Sequence, residues 1–139
     1  MKAFDTDILT ELLLGEPEYI ERAAKIPLEE QAVPIIVIEE IIRGRFNVIR
    51  QAEAGKGRIT IDQAYALFEA TMQAFQQVAI VSYTAKADEL FREWRIRKIR
   101  VPTHDLRIGA VCVAHSATLI SRNRRDFTLI PDLLVEFWE

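Results

Sequence analysis

The chain has 139 residues, half of them hydrophobic and 28% charged, with a formal net charge of −3. That length supports one domain with a real core and excludes two comfortable ones, and the composition excludes a disordered polymer. No apolar run approaches the roughly 20 residues of a membrane-spanning helix. Asp5 and Asp7 stand where a signal peptide would be apolar, and the lone Cys112 cannot form an internal disulfide; a reducing, cytoplasmic setting is therefore expected.

Residues 2–5 read as a short strand. Thr6 or Asp7 then caps a helix with Ile8, Leu9, Leu12 and Leu13 on its inner face, ending at Gly15. Glu16-Pro17 opens a second helix, with proline at a first-turn position where its missing N–H does no harm. Residues 31–33 form a brief strand, and Pro34 opens a helix carrying Ile35, Ile36, Ile38, Glu39 and Glu40. Gly55-Lys56-Gly57 breaks the pattern, and Thr60 and Gln63 have capping-box spacing at the start of a helix predicted to reach about Gln77. A strand is predicted over 78–81. A helix follows from Thr84 to about Arg97, with Ala87, Leu90, Phe91 and Trp94 inward. Val101-Pro102-Thr103 reads as another short strand, and Asp105 starts a helix built on Ile108, Ala110, Val111 and Ala114. The last strands fall at 118–120 and 134–137. Strands alternating with helices imply a single α/β domain over residues 1–139, with a mainly parallel sheet flanked by helices.

Asp5, Glu40, Asp105 and Asp126 each sit just beyond one of these strands or a turn into the following helix. A parallel sheet brings such positions to one edge. Clustered carboxylates repel each other and need a cation, so the pattern points to a hard divalent ion with oxygen ligands, Mg²⁺ or Mn²⁺. Helix capping explains Thr6 or Asp7 without explaining Asp5, an expensive place for an unpaired charge. Glu39 and Glu40 point about 100° apart around a helix, so position alone does not choose between them, and Arg43 suits a plain helical ion pair with either. Thr103 and Asp105 are also ordinary capping residues. His104 reads as a surface or outlying group, and His115 as structural. Asn123 and Asp126 are both within reach of the site, directly or through water.

Charge is unevenly spread. Residues 1–40 hold ten acidic side chains against three basic, whereas residues 92–126 hold nine basic against three acidic. The basic side chains of residues 92–100 suit a solvated helix face. Arg122, Arg124 and Arg125 flank a proposed ligand and suit phosphate, which guanidinium groups hold by charge-assisted, often bidentate bonds. Carboxylates beside arginines suggest phosphodiester chemistry.

Four segments, Phe4-Asp5-Thr6-Asp7, Glu40-Ile-Ile-Arg-Gly44, Asp105-Leu-Arg-Ile-Gly-Ala110 and Thr118-Leu-Ile-Ser-Arg-Asn-Arg-Arg-Asp-Phe127, resemble in order and spacing the PilT N-terminus (PIN) domains, above all the VapC-type ribonuclease toxins of toxin–antitoxin pairs. The resemblance spans essentially the whole chain. It implies a metal-dependent ribonuclease and aligns Glu40, not Glu39, with the acidic ligand. By the same resemblance Asp5 and Asp105 hold the metal most directly, Glu40 orients water or a second ion, and Asp126 completes the acidic set. Thr6, Asp7, Ser121 and Asn123 stand around it, and Arg107 joins the three later arginines as a phosphate contact. Many relatives place an acid where this chain has Asn123, which leaves both one ion and two compatible with the sequence. The implied partners are single-stranded or loop RNA, an antitoxin bound across the acidic cleft, and a second copy of the chain. Tyr65, Phe68, Phe75 and Phe91 belong either to that dimer contact or to the core, with the core as the default.

Two alternatives stand beside this reading. A haloacid-dehalogenase-like phosphatase would use Asp5 as nucleophile and Asp7 as general acid, but no lysine follows Lys98 and no paired aspartates follow a late strand. A catalytically weak PIN-like module that binds RNA or protein is the other, supported by the neutral Asn123.

Overall fold

The first strand takes the middle place in the sheet. In this computed structural model, which describes residues 1–139, β1 (Lys2–Phe4) lies between β2 (Gln31–Pro34) and β4 (Thr118–Ser121). The edges are β3 (Ile80–Val81) beside β2 and β5 (Leu134–Phe137) beside β4. Every neighbouring pair is parallel, with Lys2 opposite both Gln31 and Thr118. The α/β architecture is thus the one expected. Stepping one way from β1 to β3 and returning to β4 on the far side leaves a crevice at the carboxyl ends of β1 and β4.

Seven α-helices flank the sheet: α1 (Thr6–Leu13), α2 (Pro17–Ala24), α3 (Ile35–Glu53), α4 (Ile61–Phe75), α5 (Ala85–Ile96), α6 (Thr103–Ala114) and α7 (Arg124–Phe127). Their ends follow local chemistry. Gly15 takes φ +76° just after α1, a conformation that a side chain disfavours. Thr60 and Gln63 form the expected capping box, the Thr60 N–H donating to Gln63 Oε1 at 3.0 Å, and the Ala87 N–H donates to Thr84 Oγ1 at 3.2 Å.

A cluster of 27 buried residues forms the core, with Ala3, Phe4, Ala32, Val33, Leu119 and Ile120 from the central strands. These strands read as unbroken apolar runs because helices cover both faces. Cys112 is fully buried, and that burial pushes its thiol up to about 12, as suits a small hydrophobe. The middle-region aromatics divide: Phe75 is core, whereas Tyr65 is 52% exposed. Phe68 packs edge-on against Phe46, which is itself half in solvent.

Some elements differ from expectation. Residues 101–103 are not a strand, because all five places in the sheet are filled by others. Arg95 satisfies that segment instead, donating to Val101 O at 3.0 Å and Thr103 Oγ1 at 2.9 Å. Helix α6 consequently starts at Thr103 with Pro102 before it, so neither Thr103 nor Asp105 is the cap. The third strand keeps only Ile80 and Val81 of the residues 78–81 expected, and α4 stops at Phe75. Asp5, rather than Thr6 or Asp7, caps α1.

Candidate active site

Asp5 is the best-anchored group in the crevice. Its backbone N–H continues the β-ladder to Ile120 O at 2.9 Å, so the residue is placed by β4 before α1 begins. Its side chain then splits its duties. Oδ1 accepts from the Thr6 N–H at 2.8 Å, and Oδ2 accepts from the Ser121 hydroxyl at 2.7 Å. The residue is only 4% exposed. Burial lifts its carboxyl from 3.8 to about 6, the Ser121 and Thr6 bonds hold it down, and the charges of Asp105 and Asp7 add to the rise.

The turn after β4 builds the opposite wall. Ser121 Oγ, besides donating to Asp5, accepts from the Asn123 N–H at 3.0 Å. Asn123 caps α7, its Oδ1 accepting from the Asp126 N–H at 3.2 Å. Its amide nitrogen then reaches Asp126 Oδ2 at 3.0 Å and Asp105 Oδ2 at 3.4 Å. One neutral side chain therefore ties the carboxylates of α6 and α7 together, a role that an acid in its place could not fill without a proton or a cation.

Asp105 and Glu40 close the set. Burial again leads in raising Asp105 to about 6, followed by the charges of Glu40, Asp126 and Asp7, with His104 opposing. Glu40 is raised as well, by burial first and then by Asp5 and Glu39, while His104 and the nearby Thr6 hydroxyl oppose. Neither Glu40 Oε1 nor Thr6 Oγ1 has a partner in hydrogen-bonding geometry, although both atoms are buried. Glu39 is turned away, bonded to Arg43 at 2.7 Å and facing His104 at 3.8 Å. The fold thus chooses Glu40 over Glu39 for the crevice. Asp7 lies exposed at the rim.

The chemistry of this donor set suits a hard divalent cation: it is all oxygen, mostly carboxylate, with a buried acceptor left over. No three His, Cys, Asp or Glu side chains are already drawn in as a closed ligand group.

The arginines separate sharply. Arg122 donates to Tyr19 Oη at 3.0 Å and lies 3.6 Å from Glu11. Arg124 pairs with Glu139 and stacks on Phe137, and Arg107 stacks on Phe91 at 4.6 Å beside Tyr83. Arg125 is almost wholly in solvent, with Nε 4.0 Å from Asp126. His115 Nε2 bonds Ser82 O at 3.0 Å, the structural role expected, though across to another segment. Asn47 and Arg50 fall outside the sequence-derived candidates, yet with Arg43 they line a polar cleft opening on Glu40. Helical spacing from Glu40 is the signal that finds them.

A family model described as PIN domain matches residues 2–133, and the chain belongs to that family. A protein of Rickettsia bellii named Ribonuclease VapC is 27% identical over 131 residues, covering 94% of this chain and 91% of that protein. Among solved structures, the chain resembles one in VapBC2 of Rickettsia felis bound to a promoter DNA fragment, with TM-score 0.74, 20% identity and coverage of 99% and 98%. It also resembles one in FitAcB of Neisseria gonorrhoeae, with TM-score 0.79, 18% identity and coverage of 97% and 96%. These likenesses carry the fold. Membership of the PIN family sets aside the haloacid-dehalogenase alternative.

Proposed function

We propose that this protein is a ribonuclease of the VapC type, a Mg²⁺- or Mn²⁺-dependent hydrolase of RNA phosphodiester bonds and the toxin of a toxin–antitoxin pair. The observation that carries the reading is the buried, unpartnered Glu40 Oε1 in a crevice where Asp5 and Asp105 are both lifted to about 6. Carboxylates held together against their mutual repulsion are the mark of a site that takes up positive charge.

Asp5, Glu40, Asp105 and Asp126 would hold the ion. When bound, it supplies compensation for the negative charge that builds on the phosphate and makes water a better nucleophile. The chain does the rest. Thr6 N–H and Ser121 Oγ fix the orientation of Asp5. Asn123 keeps Asp105 and Asp126 side by side. Glu40 Oε1, with no hydrogen bond of good geometry and only the Thr6 hydroxyl close by, accepts the proton of the attacking water. The water oxygen bonds to phosphorus, the ester P–O bond breaks, and the departing ribose oxygen takes up a proton. Arg125, almost wholly in solvent and paired only loosely with Asp126, is the one of the four sequence-derived arginines most open to a phosphate.

An antitoxin partner, expected across the acidic cleft, would find further apolar surface outside it. A cleft of about 480 Å³ is lined almost entirely by apolar side chains, among them Leu9, Leu12, Ile20, Leu28 and Val78. The exposed Phe46, Tyr65 and Met72 likewise favour a second copy of the chain over a solvent-facing α3–α4 surface.

The test uses purified protein and Asp5→Asn, freed of any co-expressed partner, with structured RNA in Mg²⁺, Mn²⁺ or EDTA. Metal-dependent cleavage that vanishes in Asp5→Asn supports the proposal. RNA binding without cleavage by folded wild type would move the protein to the binding-module reading.

A further inference from the structure

The cleft beside Glu40 has a cavity volume of about 400 Å³ and is lined by Glu40, Arg43, Gly44, Asn47, Arg50 and His104, with no apolar residue among them. Five of the six come from α3. At 100° per residue, positions 40, 43, 44, 47 and 50 fall within an arc of roughly 120°, and at 1.5 Å per residue they run about 15 Å along the helix. Arg43, Gly44, Asn47 and Arg50 are all exposed. This is a straight polar trough whose upper end is a carboxylate of the active site.

Its chemistry is that of a polyanion track. Two guanidinium groups stand on one side of the trough, and an amide between them can both donate and accept. Arg43 is engaged only in an exposed i,i+4 pair with Glu39, a weak, solvent-screened contact easily exchanged for phosphate. Gly44 leaves the floor open: a Cβ built there meets nothing within 4 Å. Three of the arginines nearer β4 and α6, by contrast, are bonded or stacked within the chain: Arg122 with Tyr19, Arg124 with Glu139 and Arg107 on Phe91.

We infer that single-stranded RNA lies along α3, with Arg43 and Arg50 on its phosphates, Asn47 on a base edge or ribose hydroxyl, and Gly44 allowing the backbone to pass close to the helix on its way to the carboxylates. The inference rests on the ribonuclease reading and names where that substrate is held. A flexible single strand fits a shallow trough one helix face wide, whereas a rigid duplex meets it at one point only. Because the contacts are ionic, binding weakens steeply with salt.

The experiment compares wild type, the double variant Arg43→Ala/Arg50→Ala, Gly44→Phe and Arg97→Ala, the last removing one exposed charge that does not line the trough. Thermal melts confirm folding, and Gly44→Ala stands in if the bulkier variant does not fold. Fluorescence anisotropy in EDTA measures binding of a labelled mixed-sequence single-stranded RNA, with the matching duplex alongside, and cleavage is followed in Mn²⁺. The expected result is an affinity about tenfold weaker in the double variant, with the log–log salt slope reduced by about 0.7 for each arginine removed. Gly44→Phe should raise KM while leaving kcat nearly unchanged, and Arg97→Ala should bind as wild type does.

Wild-type binding and cleavage with the double variant and Gly44→Phe both unchanged would overturn the track and leave the ribonuclease standing. Trough-dependent binding without metal-dependent cleavage would uphold the track and sink the ribonuclease. No binding of RNA by folded wild type overturns both.

Discussion

The Ser121 hydroxyl donates a 2.7 Å hydrogen bond to Asp5 Oδ2, joining two residues separated by 116 positions in the chain. Ser121 ends β4 and Asp5 follows β1, so the bond spans the seam between neighbouring parallel strands. It restrains the rise of the Asp5 carboxyl pKa that burial would otherwise drive further. The same oxygen receives the Asn123 N–H, so one serine orients both walls of the crevice.

Ser121→Ala should therefore act on titration as well as on stability. The variant leaves Asp5 Oδ2 and the Asn123 N–H without their buried partner, a loss of about 1–3 kcal/mol in unfolding free energy. Asp5 should titrate higher than in wild type, moving the acid limb of the pH–rate profile toward alkaline values. A profile that stays in place while activity falls would refute the orienting role.

The raised carboxyls have a signed effect on stability in chelator. Asp5 and Asp105 titrate near 6 in the folded chain against 3.8 ordinarily, so the folded state binds their protons more tightly. Their contribution is fully present below about pH 4 and is lost as pH rises through 6. Asp105→Asn should raise the unfolding free energy at pH 7.5 by up to about 1–3 kcal/mol and change it little at pH 4. Denaturant titrations at the two pH values decide it, and equal effects at both would refute the coupling.

A divalent ion should reverse that penalty. Mn²⁺ added at pH 7.5 is expected to raise the wild-type melting temperature by mass action, through a stabilisation of about 2.7 kcal/mol at a hundredfold excess over the dissociation constant. Asp5→Asn should lose most of the shift. An unchanged melt of wild type with saturating Mn²⁺ and Mg²⁺ would count against a metal site built on these four carboxylates.

Two glycines in helices should respond oppositely to alanine. At Gly109 a Cβ would come within 2.6 Å of Ile130 Cδ1 and 3.3 Å of its Cγ2, inside the packed core behind Asp105. Gly109→Ala should lose about 1–3 kcal/mol through overpacking. Gly44, with open space around it, should gain about 0.5–1 kcal/mol from better helix propensity. Chemical denaturation of both variants measures the contrast.

Local chemistry reached far into the fold. Pro17, Thr60 with Gln63, Thr84 and Gly15 mark helix ends because capping, proline geometry and positive φ act within a few residues. The apolar runs around Ala3, Val33 and Leu119 announce strands buried on both faces, and alternation with helices orders them into a parallel sheet. Asp5, Glu40 and Asp126 follow those strands and mark the crevice, whereas Asp105 joins them in the sequence through an expected strand at 101–103 and reaches the crevice from the first turn of α6 instead.

Tertiary structure decided what depends on partners distant in the chain. Val101-Pro102-Thr103 has the composition of a strand, yet the sheet has no place for it and Arg95 takes up its polar groups. Asp5 caps α1 because its other oxygen is already held by Ser121. Position beside a proposed ligand nominated Arg122 and Arg124 and the family resemblance added Arg107, but aromatic rings and acids brought close by folding engage all three. A sequence records which charges a chain carries. Only the folded chain settles which of them face one another and which are left to meet a ligand, because Coulomb and hydrogen-bond energies depend on separation in space.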